Sequence, residues 1–231
     1  MLETYPPVGI GILNWNGKHF LEKFLPFLHN ITYPNYTIYV FDNASTDDSL
    51  PFLQQVYPAS VKIISTGGNL GVAGGYNYGF SHVAEELVVM LNSDVEVTPG
   101  FLEPLVSVMT NDTRIAFCQS KLLSYHNRHC FEYGGAGGGM IDWLGYSFCR
   151  GRIFNHIEED TNQYTTGEIF WVGGACCLLR RSVYNELGGM YDYFRMHFEE
   201  IDLCWRMHTY HHSLVYCNES VAYHVGGGSL S

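Results

Sequence analysis

Four apolar segments, each followed by an amphipathic stretch, constrain the fold of this chain more than any other feature. The apolar segments predict buried strands over 8–15, 37–43, 61–66 and 87–94. The stretches that follow them predict helices over 18–28, 46–56, 76–84 and 99–109. Strands that alternate with helices at this spacing predict a parallel sheet with helices on both faces.

Polar side chains end three of the four predicted strands. They are Asn14 and Asn16, Asp42 and Asn43, and Asn92 and Asp94. In open sheets of this class, ligands bind beyond the carboxyl ends of the strands. Packing of a hydrophobic core does not require polar residues at the ends of three strands. The pattern therefore predicts a polar binding site at the carboxyl edge of the sheet.

The second half of the chain is less regular and predicts no firm domain boundary. Glycines crowd the stretch 131–139, which is expected to turn tightly, and 153–166 is expected to be a polar surface loop. Further elements are expected to be a strand within 169–179, a helix over 198–209 and a short strand over 221–225. We therefore expect one domain over 1–231.

Composition and charge exclude several classes of protein. The chain has 231 residues, of which 46% are hydrophobic and 15% charged, as in a compact domain. The net charge of −11, without a Lys/Arg-rich run, argues against nucleic-acid binding. None of the seven cysteines forms a C-x-x-C pair, which favours reduced thiols over zinc or disulfides. With no export signal and no apolar run of about 20 residues, a cytoplasmic location is expected.

Two segments of the first half are candidates for binding a nucleotide. The carboxylate of Asp42 could accept hydrogen bonds from a base or a ribose hydroxyl, although a helix-capping turn explains the same segment equally well. The Gly-rich segment 69–79 could bring backbone N–H groups to a phosphate, although a packing turn is slightly favoured. It matches neither G-x-G-x-x-G nor a P-loop, which disfavours NAD and ATP.

Carboxylates and one histidine are the candidates for metal binding and proton transfer. Asp94 could bind a hard divalent cation, or it could be a solvated acid at a strand end. The acids Glu199, Glu200 and Asp202 could include a general base, or they could simply complement a helix dipole. His224 lies in a Gly-rich segment and is a weaker candidate for a metal or phosphate contact.

Taken in order, seven motifs resemble those of the inverting glycosyltransferases of family 2. They are ILNWNG, FDNASTDDS, GGNLGVAGGYNYG, MLNSDVEV, WVGGACCLLRR, FEEIDLCWR and HVGGGS. The likeness covers nearly the whole chain and is strongest to the rhamnosyltransferase-like bacterial branch. It implies a Rossmann-like nucleotide-binding sheet of the A-type glycosyltransferase fold, mostly parallel, with a mixed C-terminal portion on the acceptor side.

The resemblance also implies that the two halves of the chain have different functions. Residues 1–110 would mainly bind the nucleotide sugar, and residues 111–231 would mainly form the acceptor side and supply the catalytic base. Many members continue well past the motif that contains His224. The chain is therefore expected to be truncated at its C-terminus, and the missing segment could hold acceptor or peripheral membrane contacts.

The resemblance assigns expected roles residue by residue. On the donor side, Asn14 and Asn16 would lie beside the nucleotide, and Asp42 would contact the base. Asn69, Gly71 and Asn77 would shape the pocket of the diphosphate and ribose, and Asn92 and Ser93 would also bind the donor. Asp94 would bind Mg²⁺ or Mn²⁺, with His224 as a second ligand. Asn92 stands where many members have the first acid of the metal motif. Glu200 would be the base, with Glu199 and Asp202 as alternatives, while Trp171 and Arg206 would line the acceptor or phosphate side.

The expected activity is metal-dependent, inverting transfer of a sugar from a dTDP- or UDP-sugar to an acceptor hydroxyl. The acceptor would be a glycan or a lipid-linked glycan of the cell surface. A non-catalytic sugar- or nucleotide-binding module is the main alternative. A sugar-nucleotide pyrophosphorylase fits less well, because its basic Gly-rich loop should follow the first strand, where this chain reads NWNGKHF.

Overall fold

The computed structural model describes residues 5–132, 136–194 and 197–226. The elements of the first half are β1 (Val8–Asn14), α1 (Lys18–Leu28), β2 (Tyr36–Asp42), α2 (Ser49–Val56), β3 (Val61–Ser65), α3 (Gly71–Ser81), β4 (Leu87–Asn92), β5 (Val95–Val97) and α4 (Leu102–Asn111). Those of the second half are β6 (Ile115–Ser124), β7 (Gly139–Ile141), β8 (Ser147–Cys149), β9 (Arg152–Ile153), β10 (His156–Ile157), β11 (Gly167–Glu168), β12 (Cys176–Arg180), α5 (Arg181–Glu186), a 3-10 helix (Asp192–Phe194), α6 (Glu199–Thr209) and β13 (Ser213–His224).

The main sheet has the strand order β11-β13-β6-β12-β4-β1-β2-β3, with β5 paired to β13. Strands β3, β2, β1 and β4 are parallel neighbours. Strand β12 runs antiparallel to both β4 and β6, whereas β13 pairs parallel with β6. The expected parallel sheet with a mixed second half is therefore confirmed.

The register of the sheet brings the polar strand ends together. Asn14 pairs with Asp42 across β1 and β2, and Leu13 pairs with Asn92 across β1 and β4. Strand order reverses beside β1, since β2 lies on one side of it and β4 on the other. Ligands of open sheets bind at such reversal points, beyond the carboxyl ends of the strands.

The alternation of side chains in β1 explains how the two faces of the sheet are covered. Val8, Ile10 and Ile12 belong to the core cluster that includes α1 and α4. Gly9 and Gly11 face the opposite side, where α3 packs. A Cβ at Gly11 would lie 2.6 Å from the ring of Phe41, so the small residue makes room for the aromatic core of that face.

Helix α3 begins at Gly71 and not at the predicted residue 76, because its glycines are packing positions. A Cβ at Gly75 would lie 2.5 Å from Leu13, and a Cβ at Gly79 would overlap the ring of Phe41. The missing side chains allow the helix to lie directly on β1 and β2. The Gly-rich segment thus serves close helix–sheet packing.

Replacing Gly79 by Ala is expected to destabilise the fold by about 1–3 kcal/mol, since one added methyl group forces the helix or Phe41 to move. The free energy of unfolding, measured by urea titration, tests this. Gly100→Ala is the matched control, because a Cβ there meets no atom of the described residues within 4 Å. Equal stability of the two variants would contradict this account of α3 packing.

Several elements of the second half differ from the sequence-based predictions. The sequence pattern does not predict β6, and β13 is longer than the expected strand over 221–225. The predicted loop over 153–166 contains the last residue of β9 and the whole of β10. Strands β6 and β13 bury polar side chains that interrupt their apolar patterns. Ser120 and Ser220 bond to each other at 2.8 Å, and Lys121 pairs with Asp160 at 2.8 Å.

All seven cysteines lie within the described residues, and none of them forms a disulfide there. No described helix has the length and apolar character needed to cross a bilayer. The predicted tight turn over 131–139 and the HVGGGS motif lie partly outside the described residues, at 133–135 and 227–229.

Candidate active site

Three buried polar side chains with unused oxygens lie at the carboxyl edge of the parallel strands. Asn14 and Asp94 are fully buried, and Asp42 is 2% exposed. Within the described part of the chain, Asn14 Oδ1, Asp42 Oδ1 and Asp94 Oδ2 have no hydrogen-bond partner. Because a buried polar atom without a partner costs stability, these acceptors mark an edge suited to a ligand that brings donors or a cation.

Asp94 is held against His224 by the pairing of β5 with β13. His224 lies opposite Val95, and the N–H of Val225 donates to the carbonyl of Asp94 at 3.1 Å. This places His224 Nε2 3.2 Å from Asp94 Oδ1. The other ring nitrogen, Nδ1, lies 3.0 Å from Glu132 Oε2. Burial alone lowers the pKa of His224, but the hydrogen bonds and charges of Asp94 and Glu132 outweigh it and raise that pKa to about 10.

The Asp94–His224 pair fits a divalent cation. Two ligands at right angles, each about 2.1 Å from an octahedral ion, lie about 3 Å apart, close to the observed 3.2 Å. Glu132 contacts the far side of the ring and does not converge on the same point, and the described residues contain no group of three acidic, His or Cys ligands. Two protein ligands suit an ion whose remaining positions are filled by phosphate oxygens and water.

Asn92 is the last residue of β4, and Ser93 lies between it and Asp94. Both are partly buried, and the N–H of Asn92 donates to the carbonyl of Ala175 at 2.9 Å. That bond fixes the backbone between the end of β4 and the start of β12. The two residues therefore lie at the predicted edge, next to the candidate metal site.

The three acids of α6 differ in what they already bind. Asp202 Oδ2 accepts from Arg206 Nε at 2.9 Å, and Arg206 also donates to the carbonyls of Leu187 and Gly189. Asp202 therefore already binds Arg206, which in turn stabilises the turn after α5. By contrast, Glu199 Oε2 and Glu200 Oε2 are buried without a hydrogen-bond partner among the described residues.

Burial raises the proton affinity of the Glu200 carboxylate. Burial first, and then the charge of Glu199, raises the pKa of Glu200 to about 7. Burial also raises the pKa of Glu199. The thiol of Cys177 in β12 has its pKa raised mainly by burial and in part by the charge of Glu200. Strand β12 begins opposite the end of β4, where Cys176 pairs with Leu91.

The backbone just before α6 has an unusual conformation. His197 and Phe198 have φ values of 68° and 73°, in the left-handed region that non-glycine residues rarely adopt. Such conformations cost free energy and cluster at functional sites. Here they set the point at which the chain enters the helix that carries Glu199 and Glu200.

Two of the predicted donor-side asparagines hold loops with their side chains. Asn16 Oδ1 accepts from the N–H groups of Thr46 and Asp47, at 2.6 and 3.2 Å. Asn77 Oδ1 accepts from Met190 N at 3.0 Å, and its Nδ2 donates to Met190 O at 2.7 Å. Both side chains therefore shape the site through the backbone they support.

Asn69 and Gly71 line an open cleft of about 350 Å³ with Leu70, Ala73 and Asp192. The loop is braced by Asn43, which donates to Asn69 Oδ1 at 3.1 Å and accepts from Leu70 N at 2.9 Å. The sequence places Asn43 at a strand end but indicates no role for it. Asp192 and Glu132 belong to no recognisable local pattern, so the sequence does not predict them as site residues.

Trp171 and Arg206 serve the architecture around the site. The indole N–H of Trp171 donates to the carbonyl of Met140 at 2.9 Å and so ties the four-stranded sheet of β7–β10 to the segment before β12. The guanidinium of Arg206 lies 4.1 Å from the ring centroid of Tyr191 while it binds Asp202. These contacts position neighbouring segments.

Comparison with known proteins identifies related sequences. The family model described as Glycosyl transferase family 2 matches residues 10–188. This chain is 26% identical, over 203 residues, to an N-acetylglucosaminyl-diphospho-decaprenol L-rhamnosyltransferase of Mycobacterium tuberculosis. That match covers 81% of this chain and 65% of the relative, so the chain spans less than two thirds of the relative's length.

Solved structures share the fold at low sequence identity. GalNAc-T7 with UDP, GalNAc and Mn²⁺ superposes with a TM-score of 0.75 and 14% identity, over 96% of this chain and 44% of that chain. The mannosyltransferase PcManGT of Pyrobaculum calidifontis, in complex with GDP-Man and Mn²⁺, gives a TM-score of 0.69 and 14% identity, over 96% and 57% of the two chains. These likenesses confirm the A-type glycosyltransferase fold.

Proposed function

The chain belongs to glycosyltransferase family 2, and from this premise we propose that it transfers a sugar from a nucleoside-diphosphate sugar to an acceptor hydroxyl. The observation that carries the proposal is the buried Asp94–His224 pair, whose unused Asp94 oxygen lies at the same sheet edge as Asn14 and Asp42. Residues 1–110 would mainly bind the donor, and residues 111–231 would mainly serve the acceptor and supply the base.

The donor would bind to buried side-chain oxygens that have no hydrogen-bond partner among the described residues. Asp42 Oδ1 would accept from a base N–H or a ribose hydroxyl, and the loop of Asn69 and Gly71 would border the ribose and diphosphate. Asp94 and His224 would hold Mg²⁺ or Mn²⁺, with Asn92 and Ser93 beside them. Such an ion, when bound, supplies charge compensation for the departing diphosphate.

Glu200 would act as the general base. Its carboxylate would take the proton of the acceptor hydroxyl while that oxygen bonds to the anomeric carbon and the bond from carbon to the diphosphate oxygen breaks. One displacement of this kind inverts the configuration of the sugar. A pKa of about 7 leaves the carboxylate largely ionised slightly above neutral pH while it remains basic enough to accept the proton. Asp202 is less suited because Arg206 already binds it.

Related proteins guide the choice of substrate. The mycobacterial relative is named as a rhamnosyltransferase that acts on a decaprenol-linked sugar, and the two structural neighbours hold UDP or GDP-Man. We propose a dTDP- or UDP-sugar as donor and a glycan or lipid-linked glycan of the cell surface as acceptor. A lipid-linked acceptor would place the enzyme at the cytoplasmic face of the membrane.

A thermal-shift screen of UDP, dTDP and GDP, each with and without Mn²⁺, tests the donor site. At about one hundred times its Kd, the preferred nucleotide is expected to raise the Tm by about 5–10 °C in the presence of Mn²⁺. Asp42→Asn is expected to weaken this binding about tenfold, because the buried oxygen that accepts from the nucleotide loses its charge.

Asp48→Asn is the matched control for that screen, since Asp48 is exposed and makes no capping hydrogen bond. Its response to nucleotides should equal that of the unmodified chain. If no nucleotide stabilises the protein, the donor site is absent. Tight binding without release of free nucleotide from any donor sugar would favour a non-catalytic binding module.

A further inference from the structure

Glu132 lies behind the candidate metal site, on the side of His224 that faces away from Asp94. Its Oε2 is 3.0 Å from His224 Nδ1, and the side chains of both residues are 11% exposed. The N–H of Glu132 donates to the carbonyl of Leu122 at 3.0 Å, and the preceding residue, Phe131, forms a bridge with Leu123. Backbone contacts to β6 therefore fix the position of this carboxylate.

The backbone that follows β13 lies close to Glu132 on its other side. Gly226 has a φ of 74°, and a Cβ there would lie 2.8 Å from Glu132 Oε1. The carboxylate is thus enclosed between the imidazole ring and the backbone that follows His224. The carbonyl of His224 itself accepts from Tyr125 N at 2.9 Å, so both partners of the contact are held by main-chain bonds.

The contact between Glu132 and Nδ1 determines which nitrogen of the His224 ring can bind a cation. An imidazole that binds through Nε2 must carry its proton on Nδ1, and a carboxylate at Nδ1 holds that proton there. Carboxylates in this position also raise the basicity of the ligating nitrogen. In this structure Nε2 is the nitrogen that faces Asp94.

We propose that Glu132 is a positioning residue that holds His224 with Nδ1 protonated and Nε2 directed at a divalent cation beside Asp94. This inference rests on the proposed function, because it assumes a cation at Asp94 and His224. A purely structural role for Glu132 makes a different prediction. In that case its removal lowers stability but leaves the cation affinity of the folded protein unchanged.

Titration with Mn²⁺, followed by electron paramagnetic resonance of the free ion, separates the two roles. Glu132→Ala is expected to raise the Kd for Mn²⁺ by about 10- to 100-fold. Glu132→Gln is expected to raise it less, since an amide oxygen can still accept from Nδ1 but carries no charge. Circular dichroism establishes that each variant is folded, and the Gln variant carries the test if the Ala variant does not fold.

Two further variants serve as controls. Glu158→Gln removes a carboxylate that accepts from Tyr164 OH at 2.7 Å, in a segment that pairs with Phe131 through its backbone, and should bind Mn²⁺ as the unmodified chain does. Asp94→Asn should lose the site. Glu132 variants that bind Mn²⁺ normally, while Asp94→Asn does not, would overturn the inference and leave the metal site standing. Equal Mn²⁺ binding by Asp94→Asn and the unmodified chain would remove the proposed metal site and the inference with it.

Discussion

Replacing Glu200 by Gln is expected to lower the rate of sugar transfer about a thousandfold while leaving donor binding intact. The amide has nearly the shape of the carboxylate but cannot take the proton of the acceptor hydroxyl. Transfer is measured as glycosylated product, and donor binding as the nucleotide-induced rise in Tm. Near-normal transfer by the folded variant would exclude Glu200 as the base.

Two neighbouring acids are the matched controls for Glu200. Glu199→Gln changes the adjacent buried carboxylate, and we expect a much smaller loss of transfer. Asp202→Asn should act mainly on stability, because it releases Arg206 from the ion pair that supports the turn at Gly189. If Glu199→Gln abolished transfer and Glu200→Gln did not, the role of base would pass to Glu199.

The pH dependence follows from the raised pKa of Glu200. The rate is expected to rise about tenfold per pH unit below pH 7 and to level off above it, because only the ionised carboxylate accepts a proton. The pKa lies above its usual value of 4.5, so stability that is present below pH 4.5 is lost as the pH rises through 7. At pH 8, Glu200→Gln should therefore be more stable than the unmodified chain, by about 3 kcal/mol.

Asp94→Asn is expected to lower transfer by about a hundredfold or more and to abolish the effect of Mn²⁺ on nucleotide binding. The buried carboxylate supplies the negative charge of the proposed site, and His224 alone is a weak ligand for Mg²⁺ or Mn²⁺. Removing the metal from the unmodified chain with a chelator should reproduce the loss of transfer, and added Mn²⁺ should restore it.

Glu96→Gln is the matched control for Asp94→Asn. Glu96 is a buried carboxylate two residues further along, and Arg128 binds both of its oxygens at 2.8 Å. Its replacement should reduce stability without changing the dependence on Mn²⁺. Metal-dependent transfer by Asp94→Asn at the normal rate would contradict the assignment of this site.

Local patterns predict most of the helices and strands of the first half of the fold, although not their exact ends and not β5. The helix expected over 18–28 is α1, and the strand expected from Val8 ends one residue earlier than predicted, at Asn14. Apolar residues at every second position indicate the buried face of a strand, and apolar residues spaced at 3.6 indicate the buried face of a helix. In β6, the buried polar residues Gln119, Ser120 and Lys121 hide that signal, because their partners lie in distant segments.

Sequence by itself also determined where a site should be sought. Asn14, Asp42 and Asp94 were placed at strand ends, and the topology of parallel sheets dictates that such ends share one edge. The acids of α6 were recognised as candidates from their residue types and spacing. Their individual roles stay predictions until the variants are measured.

Tertiary structure alone decided which polar groups remain free to act. Asn77 and Asp202 look as suitable as Asp42 and Glu200 in the sequence, yet the fold commits them to Met190 and Arg206. Glu132 meets His224 only because β5, β6 and β13 converge. Hydrogen bonding depends on distances of about 3 Å between segments far apart in the chain, and residue type and local spacing carry no information about those distances.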